Sequence, residues 1–302
     1  MNLRFDDRVA IVTGAGKGLG RAYAIGLAAR GARVLVNNRR HAGEASGSAD
    51  ATVEAIRNAG GEALANYCAI EDPEASERIV EQALTAWGRI DIVIHNAAVA
   101  NGGYFTRMSA DEFDYTMRVN FAAPVALTRA VLPQLRAGGY GRMLFSTSAA
   151  GLYGNRGQSA YSASKAAMLG FMQSIRLEER GYDFRVNAIA PFADTQMTAG
   201  YMPGQSDGSF APELAAAMAI WLVHQDCPAS GDVIIAGAGV FRNARTMEGA
   251  GLRLAPGTEI TPESIAGRFR DIRALANVST QNSADDCFRR VVQDAGIGPA
   301  GA

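Results

Sequence analysis

Short apolar runs recur along the chain, and each is followed by a polar or glycine-rich turn and then a stretch with helical spacing. Val9 to Thr13 has the length and continuity of a strand buried on both faces. Gly14 to Gly20 is glycine-rich. Tyr23, Leu27 and their neighbours then recur at helical spacing up to Gly31, a natural helix stop. Arg33 to Asn37 predicts a second strand, so the first unit reads strand, turn, helix, strand.

The alternation continues. Ala42 to Ser48 reads as a polar loop, Thr52 to Asn58 as helix, Glu62 to Tyr67 as strand and Ala75 to Trp87 as helix. "IDIVIHN" (Ile90 to Asn96) is the fourth strand. "SADE" (Ser109 to Glu112) has capping-box spacing and opens a helix expected to end at Asn120. A fifth strand is expected from Gly141 to Ser148, a helix from about Ser159 to Arg180, and further strands in "RVNAIAP" and "GDVIIAG". Strands alternating with helices predict an α/β domain with a doubly wound parallel sheet, Rossmann-like, over residues 1–240.

Residues 241–302 read as a C-terminal helical extension. Thr261 is placed as N-cap with Pro262 at the first helical position, Ile265, Phe269 and Ile272 form one apolar stripe, and a second helix starts near Ser283.

Composition narrows the function classes. With 48% apolar and 20% charged residues over 302 positions, the chain has the make-up of an ordinary globular protein. A net charge of −1, with no basic block, argues against nucleic acid or a membrane surface as partner. Cys68, Cys227 and Cys287 are scattered, as are His41, His95 and His224, so no metal site is expected. The longest apolar helix-like run, Leu214 to Val223, is too short to span a bilayer. The termini carry neither signal-peptide nor peroxisomal features, so a cytoplasmic protein is expected. Of 29 basic residues only Lys17 and Lys165 are lysines, which directs attention to both places.

"TGAGKGLG" lies between a strand and a helix, the setting that a phosphate-cradling turn requires. Glycines let the backbone approach a pyrophosphate, and the helix N-terminus offers free N–H groups and partial positive charge. "YSASK" puts Tyr161 and Lys165 on one helix face. A tyrosine titrates near ~10, and a neighbouring ammonium is expected to lower that value and make Tyr161 a usable acid/base. Alone, this spacing also describes a solvated helix face. Ser148 at a strand end and Asn120 at a helix end give it company.

Taken together these motifs resemble the short-chain dehydrogenase/reductase family through most of the chain. The family's Thr-Gly-x-x-x-Gly-x-Gly falls on Thr13, Gly14, Gly18 and Gly20. The resemblance implies a catalytic set of Ser148, Tyr161, Lys165 and Asn120. Tyr161 exchanges the proton with the substrate oxygen, Lys165 holds the nicotinamide ribose, Ser148 positions the carbonyl and Asn120 anchors a relay water. It further implies cofactor contacts at Gly14, Gly16, Lys17, Gly18, Leu19 and Gly20 in the turn, at Asn38 and Arg39, and at Cys68 and Ala69. Asn96, Tyr161, Lys165 and Pro191 complete the cofactor set.

"RVAIVTGAGKGLGRAYA", "YGNRGQSAYSASK" and "NAIAPFADTQMT" narrow the resemblance to the (3R)-hydroxyacyl-CoA dehydrogenase part of peroxisomal type 2 multifunctional enzymes. That likeness implies a free-standing dehydrogenase with an acyl-CoA as small-molecule substrate, and a homodimer, with a tetramer as the alternative. A steroid dehydrogenase, a 3-oxoacyl-carrier-protein reductase and a non-catalytic dinucleotide sensor are the alternatives. The segment Phe192 to Phe210 reads as a lid, with Phe192, Met197, Tyr201 and Met202 toward an acyl channel, and Arg156 and Arg242 as candidates for coenzyme A phosphates.

Three positions depart from the family pattern. "HNAA" keeps Asn96 but loses a final glycine, Cys68 replaces an adenine-contacting aspartate, and Asn38 replaces the acid after the second strand. An acid there repels a 2′-phosphate. With Asn38 in its place, Arg39 beside it and Lys17 in the turn, the expected cofactor is NADP, with NAD as the alternative. Two charge-assisted contacts of roughly 1.5–3 kcal/mol each would give a preference on the order of 10² or more.

Overall fold

Ten of the residues in β1 (Val9–Thr13) and β2 (Arg33–Asn37) form a parallel ladder from Val9–Arg33 to Thr13–Asn37, and every residue of β1 is buried. The computed structural model describes residues 3–40, 47–198, 208–255 and 257–296. Between these strands runs α1 (Gly18–Ala28). The chain continues through α2 (Ser48–Asn58), β3 (Glu62–Asn66), α3 (Ala75–Trp87), β4 (Ile92–His95), α4 (Ala110–Met117) and α5 (Ala123–Ala137). It then forms β5 (Gly141–Ser146), α6 (Ala149–Tyr153), α7 (Ser159–Glu178), β6 (Phe184–Pro191), α8 (Pro212–Leu222), β7 (Val233–Gly237) and β8 (Val240–Ala244).

The strands make one sheet in the order β3-β2-β1-β4-β5-β6-β7-β8, with β1 to β7 parallel. All residues of β4 and β5 are buried, as expected for parallel strands covered on both faces. The doubly wound α/β reading therefore holds. Sequence order reverses between β1 and β4, and the loops after these strands diverge there to leave a crevice.

Local signals set most boundaries. Ser109 caps α4 by accepting from Glu112 N at 3.2 Å, while Glu112 Oε2 accepts from Ser109 N at 2.8 Å. Three boundaries differ from expectation. The helix of "SADE" does not end at Asn120: a π-helical turn, Arg118–Ala122, joins α4 to α5 and carries Asn120 in mid-helix. Strand β5 stops at Ser146, and Ser148 instead caps α6, its Oγ accepting from Ala150 N at 3.1 Å. Helix α2 starts at Ser48, within the expected loop, whose residues 42–46 lie outside the described residues.

The chain divides into two compact units, Met1–Asn243 and Ala244–Ala302. Residues after 240 begin with strand rather than helix. Ala238 and Gly239 both have positive φ (49° and 73°), the backbone of a two-residue hairpin turn, and this returns β8 beside β7. The second unit holds α9 (Pro262–Ala266), α10 (Phe269–Ile272) and α11 (Ala284–Ala295). Thr261 and Ser283 cap α9 and α11 as their positions suggest. Their apolar side chains are exposed, including Phe269, Phe288 and Val291. Among the described residues no helix is long and apolar enough to cross a membrane.

Candidate active site

Every strand from β1 to β6 delivers residues from its carboxyl end to one cleft of about 600 Å³. Gly14, Lys17, Gly18 and Leu19 come from the turn after β1, Asn38 and Arg39 follow β2, and Cys68 follows β3. Asn96 follows β4, Ser148 follows β5, α7 presents Tyr161 and Lys165, and Pro191 ends β6.

Hydrogen bonds stitch the glycine turn to the β4 loop across the crevice. Thr13 Oγ1 accepts from the backbone N–H groups of Asn96 and Ala97 at 3.0 and 3.1 Å. Asn96 Nδ2 donates back to the carbonyls of Thr13 and Gly14. Gly14 has φ +63°, and a Cβ there would lie 2.7 Å from Ala97 Cα. Helix α1 starts above this turn with no acidic residue in its first turn, and its positive end faces the cleft. These features fit a dinucleotide pyrophosphate.

Four expected site residues do not line the cleft. Gly20 packs α1 onto the turn, since a Cβ there would stand 2.2 Å from Gly14 O. Gly16 is pressed against Ser48 and Asn38, and Ala69 faces away into a neighbouring depression with Arg40 and Tyr67. Asn120 is fully buried. Its Oδ1 accepts from Val99 N at 2.8 Å, and its Nδ2 donates to Val99 O at 2.9 Å and Ser164 Oγ at 3.1 Å. Ser164 Oγ in turn donates to Tyr161 O at 2.8 Å. Asn120 thus ties the β4 loop to the helix turn that carries Tyr161, and the π-helical turn aims its side chain there.

Tyr161, Ser148 and Lys165 are brought together by helix packing. Helix α6 lies on α7 so closely that a Cβ on Gly151 would stand 2.8 Å from Lys165 backbone and Cβ atoms. Thr147 Oγ1 donates to Lys165 O at 3.0 Å, fixing α7 to the end of β5. Lys165 is 2% exposed, and its Nζ donates to Ser146 O at 2.7 Å. Burial pushes Lys165 down to about 8.

The expected lowering of Tyr161 by Lys165 does not occur here. Burial raises the phenol above its ordinary value, and hydrogen bonding with Ser148 opposes that rise without cancelling it. The ammonium lies 5.7 Å from the ring centroid and is turned toward Ser146. Desolvation outweighs it at that range.

A family model described as short chain dehydrogenase matches residues 8–205. The chain belongs to the short chain dehydrogenase family. Like other short chain dehydrogenases it is an oxidoreductase that uses a nicotinamide cofactor, NAD or NADP. Peroxisomal multifunctional enzyme type 2 of Mus musculus is 36% identical over 296 residues, 96% of this chain and 40% of the mouse protein. Peroxisomal multifunctional enzyme A of Dictyostelium discoideum is also 36% identical, over 99% of this chain and 68% of the relative. The solved structure of full-length peroxisomal multifunctional enzyme type 2 from Drosophila melanogaster superposes with a TM-score of 0.83 at 28% identity, covering 97% of this chain and 50% of that one. This short chain dehydrogenase therefore spans less than half of the mouse relative and half of the fly one.

Just past the end of β2, Arg39 is engaged rather than open. Its Nη1 lies 2.7 Å from Glu71 Oε1 and donates to Tyr115 OH at 2.9 Å. Glu71 lines the cleft but was missed in the sequence, because nothing local links it to Arg39. Its only signal is a position just past the third strand. Arg40 points elsewhere, its guanidinium 4.1 Å from the Tyr67 ring centroid. Cys68 lines the cleft with a free thiol.

Of the expected lid, Phe192 and Met197 line the cleft, and Asp194 N donates to Phe210 O at 2.7 Å across the base of the segment. Tyr201 and Met202 lie outside the described residues. Arg156 and Arg242 do not line the cleft. Arg156 sits 5.2 Å from the Tyr104 ring centroid, and Arg242 lies exposed on β8.

Proposed function

We propose that this short chain dehydrogenase interconverts (3R)-3-hydroxyacyl-CoA and 3-oxoacyl-CoA with NADP(H). The observation that carries the chemistry is the convergence of Ser148, Tyr161 and Lys165 on one cleft with the glycine turn. The acyl-CoA class rests on the resemblance to the (3R)-hydroxyacyl-CoA dehydrogenase part of multifunctional enzymes, and the likeness to two proteins so named supports it.

A bound nicotinamide supplies or accepts the hydride at the substrate's carbon. Tyr161 moves the proton: in reduction its phenolic O–H passes a proton to the carbonyl oxygen as that oxygen gains charge, and in oxidation the phenolate takes it back. Burial keeps Tyr161 protonated in the free protein, which suits it as the acid of the reductive direction. Ser148, held as the cap of α6, orients the substrate oxygen toward Tyr161. Lys165 supports ribose binding and places a positive charge beneath the phenol. Asn120 is a positioning residue that acts through Val99 and Ser164. Phe192 and Met197, each partly exposed at the cleft, suit an acyl chain.

Asn38, Arg39 and Lys17 all line the cleft and favour a 2′-phosphate over a bare ribose. Glu71 neutralises part of Arg39, so the preference falls below what two full charge-assisted contacts would support. A homodimer is the proposed assembly, because the exposed apolar side chains of α10 and α11 call for cover. The deciding experiment is a panel of 3-oxoacyl-CoA esters, 3-oxoacyl-carrier-protein and ketosteroids with both cofactors. Turnover confined to ketosteroids would overturn the acyl-CoA reading, and wild-type preference for NAD(H) would overturn the cofactor reading.

A further inference from the structure

Glu71 and Tyr115 close a three-membered clasp on the one arginine of the Arg39–Arg40 pair that faces the cleft. Arg39 Nη1 donates to Glu71 Oε1 at 2.7 Å and to Tyr115 OH at 2.9 Å, and Tyr115 OH donates to the same Oε1 at 3.2 Å. The three residues come from three places: the end of β2, the loop after β3, and helix α4. Arg39 is 38% exposed and Glu71 only 14%, so the guanidinium is presented to the cleft with the carboxylate set back against it.

We propose that Glu71, steadied by Tyr115, sets how strongly this cleft selects a 2′-phosphorylated adenosine. The proposal rests on the assignment of the Arg39 end of the cleft to the adenosine ribose. Both clasp contacts use Nη1, which leaves the Nη2 and Nε edge of the guanidinium outside the clasp as the face for an anion. A phosphate meeting that edge finds an arginine already ordered. It also finds a carboxylate on the other side of the same guanidinium, close enough to repel it. Asn38 adds no charge, its Nδ2 donating to Ser48 Oγ at 2.7 Å. The clasp therefore orders Arg39 and at the same time caps its pull on a dianion. A short chain dehydrogenase so built discriminates between the two dinucleotides only modestly.

Glu71→Gln keeps the shape and removes the charge. The probes are adenosine 2′,5′-bisphosphate and 5′-AMP, and the readout is the ratio of their dissociation constants, measured by calorimetry on the full chain at fixed salt. Glu71→Gln is expected to raise the preference for the bisphosphate roughly tenfold, on the scale of removing one like charge a few ångströms away in partly solvated surroundings. The 5′-AMP constant should stay within about twofold, whereas mere loosening of the loop would weaken binding of both nucleotides. Glu71→Ser serves as the second variant if the first is unstable. A ratio unchanged in the variant that folds overturns the clasp, even where Arg39→Leu abolishes the preference. A wild type that binds both nucleotides equally overturns the NADP(H) reading instead, while the response to Glu71→Gln still decides the clasp. Failure of both nucleotides to bind overturns both.

Discussion

Lys165 Nζ donates a 2.7 Å hydrogen bond to the main-chain carbonyl of Ser146 and stands 5.7 Å from the centroid of the Tyr161 ring. The ammonium is thus anchored to the sheet beneath the phenol. Tyr161 keeps its proton in the free protein, and removing the hydroxyl removes the acid assigned to the substrate oxygen. Tyr161→Phe is expected to lower kcat by about 10² or more while dinucleotide affinity stays within a few-fold of wild type. Steady-state kinetics beside a binding titration checks it, and near-normal turnover would exclude Tyr161 as the acid/base.

Burial of Lys165 has a consequence for stability. With its value pushed down to about 8 from the ordinary 10.5, the folded state holds the lysine proton less tightly than the unfolded chain does. Between those values the unfolded state binds more protons, so the Lys165 contribution to stability rises with pH from about 8 toward 10.5. Tyr161, shifted upward, acts in the opposite sense only above about 10. Urea unfolding of wild type and Lys165→Met between pH 7 and 10 should show the wild type gaining on the variant as pH rises. A constant difference would refute the shift.

Asn120→Ala would strip two partners from Val99 and one from Ser164 in a fully buried place. Leaving such groups unsatisfied costs about 1–3 kcal/mol each, less whatever water recovers, so a loss of about 3 kcal/mol is expected. The β4 loop and Tyr161 lose their shared tie, so kcat should fall more than KM rises. Chemical denaturation and kinetics together test this. A fully stable variant with a catalytic defect alone would point instead to direct contact with the reacting groups.

Gly20→Ala tests the turn. The new methyl would meet Gly14 O at 2.2 Å, and the obstacle is backbone. A destabilisation of about 1–3 kcal/mol is expected, with dinucleotide binding lost as α1 is levered off the turn. Thermal unfolding with and without NADP would show both, and unchanged stabilisation by the nucleotide would count against it.

The proposed homodimer is checked by light scattering on the full chain, which should return about twice the 31.8 kDa of one copy. Replacing Phe269 and Phe288 with serine should shift that mass toward one copy, with the secondary structure of the first unit kept. A wild-type mass of one copy at micromolar concentration would refute the assembly.

Much of this molecule follows from local chemistry along the chain. Continuous apolar runs specify the buried strands β1, β2, β4 and β5, because a parallel strand covered on both faces needs no polar alternation. Ser109, Thr261 and Ser283 start their helices because a side-chain oxygen satisfies an orphan N–H within the next turn. The glycine turn and the Tyr161–Lys165 spacing are equally local: Tyr161, Lys165, Gly14 and Gly18 line the cleft, while Gly16 and Gly20 pack behind it. What the sequence could not settle depends on residues far apart in the chain. The π-helical turn at Asn120 is held by Val99, on another element. Strand β8 exists because a hairpin lays it against β7. Tyr161 is raised because surrounding segments exclude water from it, and spacing to a lysine carries no information about that depth. Arg39 reads as an open cation in "NNRR", yet its carboxylate partner is 32 residues away and its phenol partner 76. Periodicity and capping act over one or two turns of chain. Desolvation and ion pairing are decided only when the sheet brings distant loops to one edge.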